Sequence, residues 1–492
     1  MTEFEDRIYS FCEANGLLDF DGVIVGLSGG PDSLALTKIL LTFAKGGAYG
    51  GKVYALHVNH NMRPGECDED EAFVKNFCST NNIPLKTVNY DVTRIAKETG
   101  RTEEETGRIL RYRAFEEYKN EIGSGSANIA VAVAHHSDDL AETFMMNLFR
   151  GSGLEGLTGI KARNGNIIRP LLCVTKAEIL EYLGDTPYCV DRTNEELCHT
   201  RNIWRNKVLP AISEVSVKTP EAAVRDTSRL LAVDSDYISS EMYKAFDRCK
   251  VQAGKLIMLD AQALAMYHSA IRTRVIRHLF LYVSGSLKDF ETVNLDIADG
   301  MLDPSSSDRE EMPRGYICFR QNGLLGFARS EDMESVMDTI AKDQGFVTCG
   351  EGFEVRVTLD EIKRGFNTKL PNSETQISLR LIEKCEGMEY NDKLWFCPID
   401  LMSGDITITN SLSTLSFAKA GGSGSKKVRR IFTDLKVPRE IRDSIVGVID
   451  DDGVCFIPGV GHAKGFVSAR SKDRCPSEAP EVVEVRFDGR SK

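Results

Sequence analysis

The order of apolar and polar positions divides the chain near Pro210. Before it, short apolar or alternating runs at 23–27, 53–58, 85–90, 129–134 and 166–171 are separated by helical periods at 33–44, 68–80, 103–120 and 138–149. Strands alternating with helices predict a parallel sheet covered by helices on both faces. Ligands of such sheets sit beyond the carboxyl ends of the strands, where Ser28 and His135 fall. After Pro210 the pattern changes. Residues 220–283 carry long helical periods, 303–314 read as a loop, and from about 315 short strand-like runs such as 353–358 and 376–382 dominate. GGSGS at 421–425 reads as a flexible loop, and no repeat of 20–50 residues is present. The expected organisation is an α/β catalytic domain over 1–215, a mainly helical domain over 216–340, a small α+β domain over 341–475 and a tail over 476–492.

Composition narrows the class. The 492 residues are long enough for two to four domains, and 42% apolar with 27% charged residues is ordinary for a globular chain. No apolar run reaches 18 residues, so no membrane span is expected, and the acidic, amphipathic N-terminus is no signal peptide. Thirteen cysteines without a C-x-x-C pair argue against a disulfide framework, a zinc knuckle or an iron–sulfur cluster, and for a reducing, cytoplasmic setting. A net charge of −12 taken alone disfavours nucleic-acid binding. Its distribution reopens the question. Residues 426–442, KKVRRIFTDLKVPREIR, hold seven Lys/Arg against two Asp/Glu, and 94–113 add Arg94, Lys97, Arg101, Arg108, Arg111 and Arg113. Most such runs are solvated helix faces.

Two stretches carry candidate chemistry. In GVIVGLSGGPDSLAL (22–36), an apolar run meets Ser28-Gly29-Gly30-Pro31-Asp32-Ser33 and then a helical period. Unpaired N–H groups and the positive dipole end at a helix start suit an anion, and glycines let backbone approach it. The triphosphate signature G-x-x-x-x-G-K-[ST] is absent, since Lys38 lies a turn and a half further on. A loop without that lysine suits pyrophosphate along amides and hydroxyls, with Asp32 free to hold a metal. The plain alternative is an ordinary strand–helix connection. In AHHSDDLAETFMMNLFR (134–150), His135, Asp138, Asp139 and Glu142 crowd a strand end and the following helical turn. Asp138 and Glu142 share a helix face and repel, so a cation should compensate them, with Mg²⁺ the natural candidate. Complementing the helix dipole would account for Asp138 and Asp139 instead.

These residues carry a resemblance. The Ser28–Ser33 turn resembles the pyrophosphate-loop (PP-loop) signature of the ATP-pyrophosphatase superfamily, and HHSDDLAET (135–143) is similar to the H-x-x-D-D-x-x-E-T motif of tRNA(Ile)-lysidine synthetases. The likeness extends through LHVNHNMRP (56–64), GRILRY (107–112), RGSGLEGLTGI (150–160), RPLL (169–172), RNIWR (201–205), the 426–443 stretch and IPGVG (457–461).

The resemblance implies an adenine nucleotide α-hydrolase-like PP-loop domain followed by helical and α+β tRNA-binding domains. It implies that ATP adenylates the C2 carbonyl oxygen of the wobble cytidine in CAU-anticodon tRNA(Ile), releasing pyrophosphate. The amine of free L-lysine then attacks C2 and expels AMP. By the same resemblance Ser28, Gly29, Gly30, Pro31, Asp32 and Ser33 cradle ATP with His57 and His60 beside it, and Asp32 binds Mg²⁺. Asp138 and Glu142 meet the lysine amines or the metal, His135 orients phosphates or cytidine, and Arg108 and Arg205 neutralise the α-phosphate or hold RNA. Lys426, Lys427, Arg429, Arg430, Lys436 and Arg439 contact tRNA, and a homodimer is compatible with the resemblance.

Departures are Leu140 where the motif commonly has Gln, a 404–420 stretch without the expected arginines, and YCVDRTN (188–194), only loosely like W-x-x-D-x-S/T-N. A 2-thiolation enzyme would bring cysteine pairs and an amidotransferase a glutaminase domain. A non-catalytic nucleotide-binding module would not need Asp32, Asp138 and Glu142.

Overall fold

Strand β1 (Gly22–Gly26) is buried on both faces, which is why its sequence is a continuous apolar run rather than an alternation. It pairs in parallel with β2 (Lys52–Asn59) on one side and with β4 (Ile129–Ala132) on the other, and β3 (Leu85–Asn89) extends the sheet beyond β2. Two short strands, β5 (Arg163–Asn164) and β6 (Ile167–Ile168), complete the order β3-β2-β1-β4-β6-β5. Only β5 runs antiparallel to its neighbour. Strand order reverses between β1 and β4, and the crevice beyond their carboxyl ends is where such sheets bind ligands.

The helices are α1 (Glu3–Ala14), α2 (Pro31–Lys45), α3 (Glu66–Thr80), α4 (Val92–Thr99), α5 (Glu103–Gly123), α6 (Ser137–Phe149), α7 (Leu154–Leu157), α8 (Lys176–Leu183), α9 (Thr200–Ile203), α10 (Leu209–Val215) and α11 (Pro220–Cys249). One core lies under α1, α2 and α8, with Ile8, Leu36, Ile39, Phe43 and Ile179 fully buried. A second, around Phe115 and Ile24, packs α5 on the other face. Burial thus covers both faces of the sheet, as the alternation predicts. The expected strand at 166–171 is shorter: Arg169 leaves the sheet and Pro170–Cys173 forms a 3₁₀ turn, with proline fixing φ at its start.

The computed structural model describes residues 1–59, 66–123, 128–189, 200–350, 352–371, 373, 375–383, 393–420, 424–463 and 480–488. The chain divides into two compact units, Met1–Tyr237 and Ile238–Lys492. Among the described residues no helix is long and apolar enough to cross a membrane.

The second unit departs from expectation in two places. The helical middle stretch contains a five-stranded antiparallel sheet, ordered Lys250–Ala253, Leu256–Asp260, Leu324–Arg329, Tyr316–Gln321 and Arg309–Met312. Its core continues past residue 340, since Met258, Phe319 and Met337 share one cluster with Phe432, Ile445 and Ile457. The 476–492 stretch is not simply a tail. Glu481–Asp488 is a strand between Gln376–Glu383 and Leu394–Pro398, burying Val483, Val485 and Phe487. The alternation in EVVEVRFD carries that signal, but a polar, proline-containing segment precedes it.

Candidate active site

The Ser28–Ser33 turn holds its shape by bonding to itself. Ser33 Oγ donates to Gly30 O at 2.9 Å, leaving its lone pairs for Ser28 N–H and Ser28 O–H, both at 3.2 Å. Gly30 N–H donates to Ser28 Oγ at 3.3 Å. Gly29 has φ +90°, where a side chain is strained, and an added Cβ would lie 2.9 Å from Cys189 Sγ. Cys189 N–H donates to Gly29 O at 3.0 Å. Helix α2 begins with Gly30 as N-cap and Pro31 in the first turn, so the Asp32 and Ser33 N–H groups have no helical acceptor. His57, at the end of β2, is buried and bonds Leu27 O through Nδ1 at 2.9 Å, tying two strand ends together. His60 lies outside the described residues.

Across the crevice, α6 starts directly after β4. His136 N–H donates to Asp139 Oδ2 at 3.0 Å, and His136 Nδ1 bonds Asp138 Oδ2 at 3.1 Å. Burial works against the charged imidazole of His136, but Asp138, Asp139 and Asp32 together raise its pKa above the ordinary value. His135 goes the other way. Burial lowers its pKa to about 4, with the nearby Arg169 guanidinium adding to the shift. Arg169 Nε donates to His135 Nδ1 at 3.2 Å, so the neutral ring carries its proton on Nε2.

Among the described residues, charges that compensate Asp138 and Glu142 come from the protein itself. Lys176, first residue of α8, bonds Asp32 Oδ1 through Nζ at 2.5 Å and Asp138 Oδ2 through its backbone N–H at 3.0 Å. The turn therefore lacks a lysine in sequence but not in space. Glu142 is completely buried, and both its oxygens are taken: Arg201 Nε reaches Oε2 at 2.6 Å and Arg205 Nε reaches Oε1 at 2.5 Å. The same arginines reach Asp139 Oδ1 at 3.0 and 3.3 Å. Burial alone would raise the Asp139 pKa, but His136 and Arg201 pull it below the usual carboxylate range. Burial likewise opposes a lowered pKa at Asp138, where His136 and the Lys176 N–H prevail.

Local chemistry places the arginines. Pro210 has no N–H, and Leu209 N–H reaches back five residues to Trp204 O, making Trp204–Val208 a π-turn between α9 and α10. Of the expected site residues, the fold brings together Asp32, His135, Asp138, Glu142 and Arg205. Arg108 is not in this group. It is exposed on α5, over the Tyr112 ring at 5.2 Å, and its charge reaches Arg169. Sequence reasoning passed over Lys176, His136, Arg169 and Arg201. A signal existed for the last, because Arg201 and Arg205 are four apart.

In the second unit the basic stretch splits in two. Lys426 pairs with Asp434 at 2.9 Å and Lys427 donates to Thr414 O at 2.9 Å. Arg429, Arg430, Lys436 and Arg439 are exposed.

A family profile described as a PP-loop domain matches residues 1–212, and one described as the TilS substrate C-terminal domain matches 406–477. The tRNA(Ile)-lysidine synthase of Caldanaerobacter subterraneus subsp. tengcongensis is 31% identical over 452 residues, covering 91% of each chain. The chain belongs to the tRNA(Ile)-lysidine synthase family. The tRNA(Ile)-lysidine synthase of Clostridium perfringens (strain ATCC 13124) is 28% identical over 98% of this chain and 99% of its own. That of Parabacteroides distasonis is 41% identical over 253 residues, half of this chain and 55% of its own. As a PP-loop member of the lysidine synthase family, the chain is an ATP-dependent ligase that acts in tRNA modification.

Proposed function

We propose that this enzyme converts the wobble cytidine of CAU-anticodon tRNA(Ile) to lysidine in two steps, and that the crevice beyond β1 and β4 hosts both. The observation that carries the reading is the meeting of the self-bonded Ser28–Ser33 turn with Lys176 and the α6 carboxylates in that crevice. Oxygen O2 of the cytidine attacks the α-phosphorus of ATP and pyrophosphate leaves. The amine of L-lysine then attacks C2, and AMP leaves.

The chain's groups suit this charge flow. The free N–H groups at the start of α2 and the Lys176 ammonium stabilise the departing pyrophosphate. A Mg²⁺ ion fits this donor set in its usual manner, held by one carboxylate, Asp32, together with substrate phosphates. It would supply further charge neutralisation there. Neutral His135, with its proton on Nε2, donates to a phosphate or the cytidine carbonyl.

Asp138 is the carboxylate for the incoming lysine amine. Its side chain remains 29% accessible, whereas Glu142 is sealed by two arginines and works by positioning them. The exposed Arg429, Arg430, Lys436 and Arg439 give tRNA a phosphate-binding surface, and the cytidine leaves its stack to reach the crevice.

The test is pyrophosphate release from purified protein with ATP, L-lysine and transcribed tRNA(Ile) bearing CAU. Without lysine, AMP should remain on the RNA. tRNA(Met), with the same anticodon, should give no turnover. Release of ADP in place of AMP, or a requirement for a sulfur donor, would overturn the reading.

A further inference from the structure

The second unit contains a cavity of about 790 Å³ between the hairpin turn at Gln321–Gly323 and the turn at Lys436–Arg442. Its volume lies within the ~300–1,000 Å³ range of sites for small molecules. The walls are built before any ligand arrives. Arg320 donates to the carbonyls of Met301, Asp303, Pro304 and Ser306 and pairs with Asp308 at 2.8 Å, folding the 301–308 loop around one guanidinium. Gln321 Nε2 donates to Lys436 O, tying the hairpin to the opposite turn. Both turns use left-handed non-glycine residues, Asn322 at φ +54° and Lys436 at φ +53°.

The lining is one-sided in charge. Five cationic side chains face two carboxylates, and both carboxylates are engaged, Glu440 with Arg309 at 2.5 Å and Asp308 with Arg320. Lys436 and Arg439 make no side-chain hydrogen bond or ion pair among the described residues. Arg442 meets only a carbonyl, Val437 O, at 3.1 Å. The Nδ2 of Asn322 is shielded from solvent and donates to nothing. Beside these groups lie Ala265 and Pro304, both exposed, and the exposed carboxamide of Gln262. Surplus cations beside an apolar wall match a phosphate carrying an unstacked base. RNA offers that combination in its single-stranded segments.

We infer that the cavity formed by Ala265, Pro304, Lys436 and Arg439 takes one unstacked nucleotide of the bound tRNA, its phosphate on the two free cations and its base against the apolar wall. This rests on the proposed reading of the chain as a tRNA(Ile) modifier and adds a second, non-reacting nucleotide site to it.

The experiment uses the full chain and transcribed tRNA(Ile), with affinity read by filter binding across a salt series. Two variants alter exposed residues only. Lys436→Glu/Arg439→Glu reverses the free charges, and Ala265→Trp fills the cavity without changing charge. The double variant should bind tRNA about tenfold or more weakly and lose about two units of the salt slope. Ala265→Trp should weaken binding with the slope unchanged. It should also abolish photo-crosslinking of 4-thiouridine-substituted tRNA to the 321–323 turn. A cavity variant that binds and crosslinks like wild type overturns the inference. So does AMP binding that these variants abolish while tRNA affinity stays unchanged, because the cavity would then serve a free mononucleotide. Lysine-dependent AMP release by the wild-type chain is scored separately. If it fails while the cavity variants still weaken tRNA binding, the catalytic reading falls and the cavity stands.

Discussion

The Ser28–Ser33 turn and the acid–arginine cluster face each other across one crevice, but they are built differently. The turn closes on itself within six residues, through Ser28, Gly30 and Ser33. The cluster is assembled from afar. Lys176 meets Asp32 across 144 positions, and Arg201 and Arg205 reach Glu142 across 59 and 63. A local motif fixes its geometry with its own hydrogen bonds. A distributed one depends on the whole unit folding, and its pairings cannot be recognised from spacing. The two should therefore fail differently when altered.

The sharpest break is at their junction. Lys176→Met removes the cation that the turn lacks in sequence. Pyrophosphate release should fall by about 10²–10³, the scale of losing one preorganised charge at a developing anion. The melting temperature should hardly move, because the Lys176–Asp32 pair is about one-third exposed. Turnover within threefold of wild type would return the task to the backbone amides alone.

Glu142→Gln tests the distributed side. It leaves two guanidiniums facing a neutral amide in a site where the carboxylate was fully buried. Breaking a buried ion pair costs about 3–5 kcal/mol, and the arginines' partial exposure brings the expectation to about 2–3 kcal/mol. Denaturant titration should show that loss as a lower midpoint with unchanged slope. A variant as stable as wild type would show that the arginines merely rest on Glu142. Ser33→Ala sits on the local side. It removes one donor and one acceptor from a turn that still has Gly29, Gly30 and Pro31, so about 1 kcal/mol is expected. Its larger signature should be a raised KM for ATP, measured by steady-state kinetics.

The same contrast explains what was legible. Strands β1 to β4 and their helices follow from apolar runs and periods that each segment carries alone, as does the turn after β1. Asp32, Asp138 and Glu142 were found because their motifs are contiguous. Arg205 was named too, but for the α-phosphate or RNA and not for Glu142, and Lys176 and Arg201 were passed over. Nothing in the neighbourhood of Lys176 connects it with Asp32 before β1 and the start of α8 are set side by side. Reading Asp139 as a dipole complement captured its helix position and missed the arginines that hold it. The guanidiniums that meet Glu142 lie 59 and 63 positions away, so nothing near the acids announced them. In the second unit, the Glu481–Asp488 strand was hidden because its partners lie about a hundred residues upstream.

The smallest effect concerns two adjacent histidines that local sequence cannot tell apart. Burial and Arg169 leave His135 with a pKa of about 4, whereas the carboxylates around His136 raise its pKa above 6.5. Between pH 4 and 6.5 the unfolded chain binds a proton at position 135 that the folded chain refuses, so this residue's contribution to stability is lost as pH falls through that window. His136 has the opposite sign. Its contribution is full below 6.5 and fades as pH rises through its folded value. The two windows adjoin near pH 6.5, so the stability the pair contributes is greatest there and falls on either side. His135→Gln should flatten the loss of melting temperature on acidification, and His136→Gln should flatten the loss on the alkaline side. Imidazole resonances followed by NMR would assign the two titrations directly. Coincident midpoints near 6.5 would mean that neither the arginine nor the carboxylates face these rings as the fold places them.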